Sequence, residues 1–132
     1  MPPYHSAFFI ALLSLLILFL TARVIAYRFA HKIAYGDAGD KQLARIRGAH
    51  SNCIETTAVM ALLLLSAELL MDGAGKTWFA VASAFLVGRL LHAHGMLAPS
   101  LKTRQIGMVL SLLSIGIMAL WVLYLSLAPL LN

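Results

Sequence analysis

Three polar side chains, Arg45, Asn52 and Glu55, have the spacing of one helical face. They are separated by seven and three residues, and at about 100° per residue such steps bring side chains to one side of a helix. Arg47 points elsewhere by the same reasoning. A guanidinium, an amide and a carboxylate on one face could bind a ligand that carries both acidic and basic groups.

A second polar stripe is formed by Arg89, His92 and Met96, which are related by steps of three and four residues. Arg104 lies two residues after Lys102 and eight residues after Met96, close to the end of this stripe along the chain. Arginine binds carboxylates through paired hydrogen bonds. Two arginine-bearing faces and the single carboxylate of the first face therefore suit a zwitterionic ligand with more carboxylates than amines.

The same two faces also have a purely structural interpretation. Glu55 is followed by twelve uncharged residues and Arg89 is preceded by twelve. A charge at such a depth in a membrane costs at least about 2 kcal/mol unless it faces a partner or water. The two side chains could therefore form an ion pair that only fastens two helices, and the sequence leaves this alternative open.

The remaining ionisable residues predict little chemistry. Glu68 and Asp72 lie four residues apart near a helix end, where we expect them to be solvated or paired with Lys76 rather than to relay protons. His92 and His94 are two positions apart and diverge by about 200° on a helix, so they do not suit one metal ion. No metal site is predicted.

The elements that position these residues must be membrane helices. Of the 132 residues, 61% are hydrophobic and 11% are charged, against roughly 25% charged in soluble domains. Residues 1–22 and 105–132 contain no Lys, Arg, Asp or Glu, and each stretch exceeds the roughly 20 residues that an α-helix needs to cross a bilayer. The net charge of +5 resides mainly at helix ends, so a nucleic-acid partner is not expected.

We predict a single all-α membrane domain over residues 1–132, a bundle of four transmembrane helices in the lipid bilayer. The helices run over about 5–27, 41–71, 77–96 and 103–127. Trp78 and Trp121 fall near helix ends and are expected at the membrane interface, which favours amphipathic rings. Cys53 is the only cysteine, so no disulfide can form within the chain.

The basic residues also predict an orientation. Nine of the ten Lys and Arg residues belong to the connections after helices one and three or to the adjoining helix ends, and only Lys76 lies in the opposite loop. Positive charges in short loops are retained in the cytoplasm. Both termini are therefore expected outside, with the polar faces of helices two and three near the cytoplasmic surface.

The chain resembles a known family, the MAPEG proteins (membrane-associated proteins in eicosanoid and glutathione metabolism). The helix-two string Arg47-Gly48-Ala49-His50-Ser51-Asn52-Cys53-Ile54-Glu55 is similar to the family signature Arg…Asn-x-x-Glu. The strings Gly88-Arg89-Leu90-Leu91-His92 and Arg104-Gln105-Ile106-Gly107-Met108 look most like the small bacterial branch. The resemblance implies a homotrimer that binds glutathione between subunits near the cytoplasmic face.

The resemblance assigns roles residue by residue. Asn52, Glu55 and Arg89 match the glutathione-binding pattern, and Arg104 approximately matches an arginine that lies against the sulfur and is the catalytic candidate. Many members have an arginine where this chain has Gly48, so Arg45 or Arg47 must substitute, and the face argument favours Arg45. His92, a further glutathione-binding candidate, and Met96 replace tyrosines of several eukaryotic members.

The expected function is a glutathione-dependent transferase or peroxidase that acts on lipophilic electrophiles or lipid hydroperoxides, with glutathione as co-substrate. The expected location is the cell inner membrane. The alternative is a non-catalytic lipid-binding or scaffold protein on the same fold; a transporter is disfavoured because helix one has no carboxylate. Close packing in a trimer would use small residues of helices two and four, such as Ala58, Ala61, Ser111 and Gly116.

Overall fold

A computed structural model describes residues 2–130 and shows four long helices. They are followed by one short 3₁₀ turn, Ala128–Leu130. The helices are α1 (Tyr4–His31), α2 (Lys41–Leu70), α3 (Lys76–Leu97) and α4 (Leu101–Leu127). All four are long and apolar enough to cross a membrane, and the described residues include no strand. The prediction of an all-α bundle with four membrane-spanning helices is confirmed.

Hydrogen bonds from Arg28 stabilise the connection that follows α1. α1 continues to His31, beyond the predicted end near residue 27, and stops where Lys32 adopts a left-handed conformation with a φ of 55°. Arg28 then donates to the carbonyl oxygens of Ile33, Ala34 and Gly36 in the connection. These bonds satisfy carbonyl groups that no longer have helical partners. The extra turn of α1 is therefore anchored to the loop that follows it.

Asp40 sets the start of α2. Its carboxylate accepts hydrogen bonds from the backbone N–H groups of Gln42 at 2.8 Å and Leu43 at 2.9 Å, as a helix N-cap does. The Tyr27 hydroxyl of α1 donates to the same carboxylate at 2.9 Å. The bond from the Leu43 N–H, followed by that from Tyr27, holds the pKa of Asp40 below its ordinary value. One carboxylate thus joins the last turns of α1 to the first turn of α2. We call this end of the bundle, which carries both the α1–α2 and α3–α4 connections, the basic end.

α3 and α4 pack at backbone distance through glycine. A Cβ atom on Gly88 would lie 2.7 Å from Ser111 Oγ and 3.1 Å from the carbonyl oxygen of Gly107. A Cβ on Gly107 would overlap the backbone of His92. Ser111, expected at a contact between subunits, is instead buried inside the chain and donates to Gly107 O at 2.7 Å. The glycines thus leave no room for the two helices to shift relative to each other.

The core at the end opposite the basic end is built around Trp78. This side chain is fully buried and its Nε1–H donates to the carbonyl oxygen of Leu64 at 3.1 Å. Phe9 of α1 packs against the ring with centroids 5.6 Å apart. Trp78 is buried because the first turn of α3 packs between α1 and α2, and its indole N–H finds a backbone partner there.

Glu68 links α2 to the start of α1. It is 3% exposed, and its carboxylate accepts from the backbone N–H groups of Ser6 at 2.7 Å and His5 at 3.2 Å. The Ser6 hydroxyl and His5 Nδ1 also contact it. The expectation of a solvated or Lys76-paired Glu68 is wrong. The free N–H groups in the first turn of a helix need hydrogen-bond acceptors. The Glu68 carboxylate of α2 is the acceptor for two such groups of α1.

The predicted orientation can be tested by cysteine labelling. Cys53 is fully buried, so the native protein offers little background reactivity. A cysteine in place of the exposed Ala38, in the α1–α2 connection, is expected to react with an impermeant maleimide only from the cytoplasmic side. Thr77→Cys, at the exposed start of α3, should show the opposite side dependence. Reaction of position 38 from outside would reject the orientation.

Candidate functional site

The most unusual feature near the basic end of the bundle is a buried arginine. Arg89 of α3 is 1% exposed. Its Nη2 donates to His92 Nδ1 at 3.3 Å, and the Cys53 thiol of α2 lies near the guanidinium. Its Nε has no hydrogen-bond partner, and no carboxylate pairs with the guanidinium anywhere in residues 2–130. A buried cation without a counter-charge destabilises the folded protein, so an anion beside this guanidinium would stabilise it.

Glu55 does not neutralise Arg89 within one chain. It is exposed on α2 and accepts a hydrogen bond from Ser51 at 2.9 Å. Arg89 contacts α2 at Cys53, and two helical positions separate side chains by about 200°. The ion pair that would only fasten the two helices is therefore not formed between the described residues of a single chain.

Asn52 supplies a second unsatisfied group. Its side chain is partly buried, and Oδ1 is a buried acceptor without a hydrogen-bond partner in the described part of the chain. Buried polar atoms in folded proteins are nearly always paired. Around α2, Glu55 lies about 60° to one side of Asn52 and Cys53 lies about 100° to the other. Asn52 therefore lies between the exposed side of α2 that carries Glu55 and the side that meets Arg89. An unpaired acceptor and an unpaired donor thus occur at the same level of the bundle.

Arg45 and Arg104 share a small cavity at the basic end. The cavity has a volume of about 170 Å³ and lies between α2 and the α3–α4 connection. Met96 also lines it, and its sulfur is 4.0 Å from Arg104 Nη1. Arg89 and Arg104 both act electrostatically on the ring of His92, which is 2% exposed. The predicted α3 stripe and the start of α4 therefore lie close together at the basic end.

Glu55 lies in a different place, an open groove of about 590 Å³ along α2. We call it the α2 groove; its lining includes Val24 and Asp37 as well as residues of α2, among them Arg47, Gly48, His50, Ser51 and Glu55. Arg47 Nη1 lies 3.6 Å from Asp37 Oδ2. The structure thus brings Arg47 to the groove of Glu55, and Arg45 to the cavity of Arg104. The two arginines lie about 80° from Glu55 on opposite sides of it around α2, so the face that Arg45 shares with Asn52 does not decide which arginine lies beside Glu55.

Gly48 contacts the α3 stripe. A Cβ at this position would lie 3.0 Å from the terminal methyl of Met96. A longer side chain would therefore require Met96 to move. The two departures from the common family pattern, Gly48 and Met96, are neighbours in space and fit each other.

One residue of the α2 groove gave no signal of a specific role in the sequence. His50 Nε2 lies 2.9 Å from the Thr21 hydroxyl of α1. His50 and Glu55 are five residues apart and differ by about 140° around α2, so spacing does not bring them together, and the partner of His50 on α1 is visible only in the fold. No group of three or more His, Cys, Asp or Glu side chains that could hold a metal ion occurs within residues 2–130.

The chain is similar to known membrane proteins. A model of the MAPEG family matches residues 6–124. The inner membrane protein YecN of Escherichia coli strain K12 is 31% identical over 105 residues, which cover 78% of each chain. The protein of the same name from Escherichia coli O6:H1 strain CFT073 matches to the same extent.

Proposed function

The chain belongs to the MAPEG family, and from this membership we propose that it is a glutathione-dependent transferase or peroxidase acting on lipophilic electrophiles or lipid hydroperoxides. The inner-membrane location in the name of the Escherichia coli relative supports the same location for this chain. Among the structural observations, the unpaired buried Arg89 carries the proposal.

Arg89 requires an anion that the chain itself does not provide. Its neighbours among the described residues include the Cys53 thiol and the His92 imidazole, neither of which carries a negative carboxylate. A ligand carboxylate would pair with the guanidinium and give the free Nε–H an acceptor. The binding of an acidic ligand would thereby remove an energetic cost that the empty protein carries.

Glutathione matches the charges of the site. It carries two carboxylates, one amine and a thiol, and needs more cationic than anionic partners. In the proposed complex Arg45 and Arg89 bind the carboxylates, Glu55 binds the amine, and Asn52 hydrogen-bonds the peptide. His92 borders the ligand beside Arg89, and Arg104 stabilises the thiolate, because a nearby arginine favours the ionised form of a thiol.

The complete site needs more than one chain. Arg45 and Arg104 line one cavity while Glu55 lines the separate α2 groove, and both are open on the surface of a single copy. A second copy packed against α2 would enclose them, which supports a homotrimer with sites between subunits. Native mass spectrometry in mild detergent is expected to give three times the chain mass of 14.3 kDa. A monomer or dimer would remove the shared site.

Catalysis is tested through Arg104. Replacing it with leucine is expected to slow conjugation of glutathione to a chloronitrobenzene by roughly 10²-fold, because one charge that stabilises the developing anion is lost. Most of the binding should remain, since the carboxylates and the amine have other partners. Lys102→Leu, an exposed cation on the same turn of α4, is the control and should retain the wild-type rate. Equal rates for both variants would reject the role of Arg104, and no turnover by the wild type would favour a non-catalytic lipid-binding or scaffold protein.

A further inference from the structure

The hydrogen bonds of His50 determine which of its nitrogens carries the proton. Thr21 Oγ1 lies 2.9 Å from the carbonyl oxygen of Ile17 and donates to it. The same oxygen lies 2.9 Å from His50 Nε2. A hydroxyl has one hydrogen to donate. Because that hydrogen is directed to Ile17, the Nε2–H of His50 must be the donor to Thr21, and the lone pair of the neutral ring lies on Nδ1.

This basic nitrogen belongs to a residue that lines the proposed ligand site. His50 is half-buried and borders the α2 groove with Ser51 and Glu55. No described residue forms a hydrogen bond with Nδ1. The charged groups that line the groove are Asp37, Arg47 and Glu55, and the first two form an ion pair with each other. His50 is therefore the residue of the groove with a free acceptor nitrogen and an orientation held by another helix.

The proposed reaction needs an acceptor for the thiol proton. A thiol attacks electrophiles only after it loses its proton. Arg104 can stabilise the thiolate, but an arginine side chain stays protonated and has no acceptor atom. An imidazole is the side chain that most readily accepts and releases a proton between about pH 5 and 8.

We propose that His50 is the general base that deprotonates the bound thiol, an inference that rests on the proposed function and on a site between copies, in which the α2 groove of one copy adjoins the Arg104 cavity of its neighbour. The S–H bond breaks, its electron pair stays on sulfur, and a new N–H bond forms at Nδ1. The thiolate then forms a carbon–sulfur bond with the electrophile, and the imidazolium releases its proton to the leaving group or to water. Nε2–H remains bonded to Thr21 throughout, so the ring need not reorient.

The test compares variants by rapid mixing, with thiolate formation on the enzyme followed by its ultraviolet absorbance. His50→Gln offers an amide N–H in the region of Nε2 but has no basic nitrogen, and is expected to form thiolate roughly 10²-fold more slowly. Its affinity for glutathione should change by less than about threefold, since the main charge partners remain. His94→Gln alters an exposed histidine of α3 and should behave as the wild type does.

A second variant separates the base from a structural role. Thr21→Val keeps the imidazole but removes the oxygen that selects its tautomer, so thiolate formation should slow by roughly threefold. Free imidazole should restore part of the rate to His50→Gly but not to Arg104→Leu. If the wild type binds glutathione and His50→Gln forms thiolate at the wild-type rate, the assignment to His50 is wrong while the proposed function stands. If the wild type binds no thiol, both fail.

Discussion

Replacing Arg89 with leucine is expected to weaken glutathione binding by about 2–5 kcal/mol, or roughly 30-fold to several thousand-fold in Kd. The guanidinium is 1% exposed and has no carboxylate partner in the described chain. In the complex the guanidinium would pair with a ligand carboxylate away from water. Removing the guanidinium would leave that carboxylate buried without a counter-charge. Calorimetric titration of purified protein in detergent measures the change.

The thermal stability of the same variant shows whether Arg89 binds the ligand or only stabilises the fold. Leucine removes a buried charge that the empty protein does not neutralise, so the melting temperature without ligand should stay the same or rise. Arg23→Leu, which removes an exposed arginine of α1, should leave both affinity and stability unchanged. If Arg89→Leu unfolds the protein and Glu55→Gln does the same, the two residues hold the fold together and the binding role is wrong.

Gly107→Ala is expected to destabilise the bundle by about 2–3 kcal/mol. The new Cβ would overlap the backbone of His92 and lie 2.6 Å from the carbonyl oxygen of Gly88. Backbone atoms cannot move aside as a flexible side chain can, so α3 and α4 must separate. Because Arg89 and His92 lie on one of these helices and Arg104 on the other, glutathione binding should weaken as well.

The matched control for this substitution lies on the same helix. A Cβ at Gly116 meets no atom within 4 Å in the chain, and alanine is the better helix former. Gly116→Ala should therefore leave the melting temperature in detergent unchanged or slightly raised. Equal effects of the two alanines on thermal unfolding would contradict the account of α3–α4 packing.

The membrane fold could be predicted because its signals are local. Uncharged stretches such as residues 105–132 exceed the length of a bilayer-spanning helix, and the predicted start of the second helix near residue 41 agrees with the start of α2 in the structure. The family could be identified from the helix-two signature between Arg47 and Glu55. Neither inference required knowledge of which helices contact one another.

The contacts of the site could not be predicted in the same way. Periodicity gives the angle of a side chain around its own helix but not the neighbour that it meets. Arg45 and Arg47 are equally far from Glu55 around α2, and only the fold shows that Arg47 shares a groove with Glu55 while Arg45 meets the α3–α4 connection. Glu68 likewise seemed solvated because its acceptor role depends on the start of α1, 62 residues away from it along the chain.

The central claim is that the polar residues of the basic end bind glutathione, and a calorimetric titration of the wild-type protein in mild detergent tests it most directly. We expect saturable binding of one glutathione per chain, and Glu55→Gln should weaken it because the ligand amine loses its carboxylate partner. Ophthalmic acid, which has a methyl group in place of the thiol, should bind through the same carboxylates and amine. The absence of saturation by glutathione up to about 10 mM, a binding free energy weaker than about 3 kcal/mol, would contradict the account.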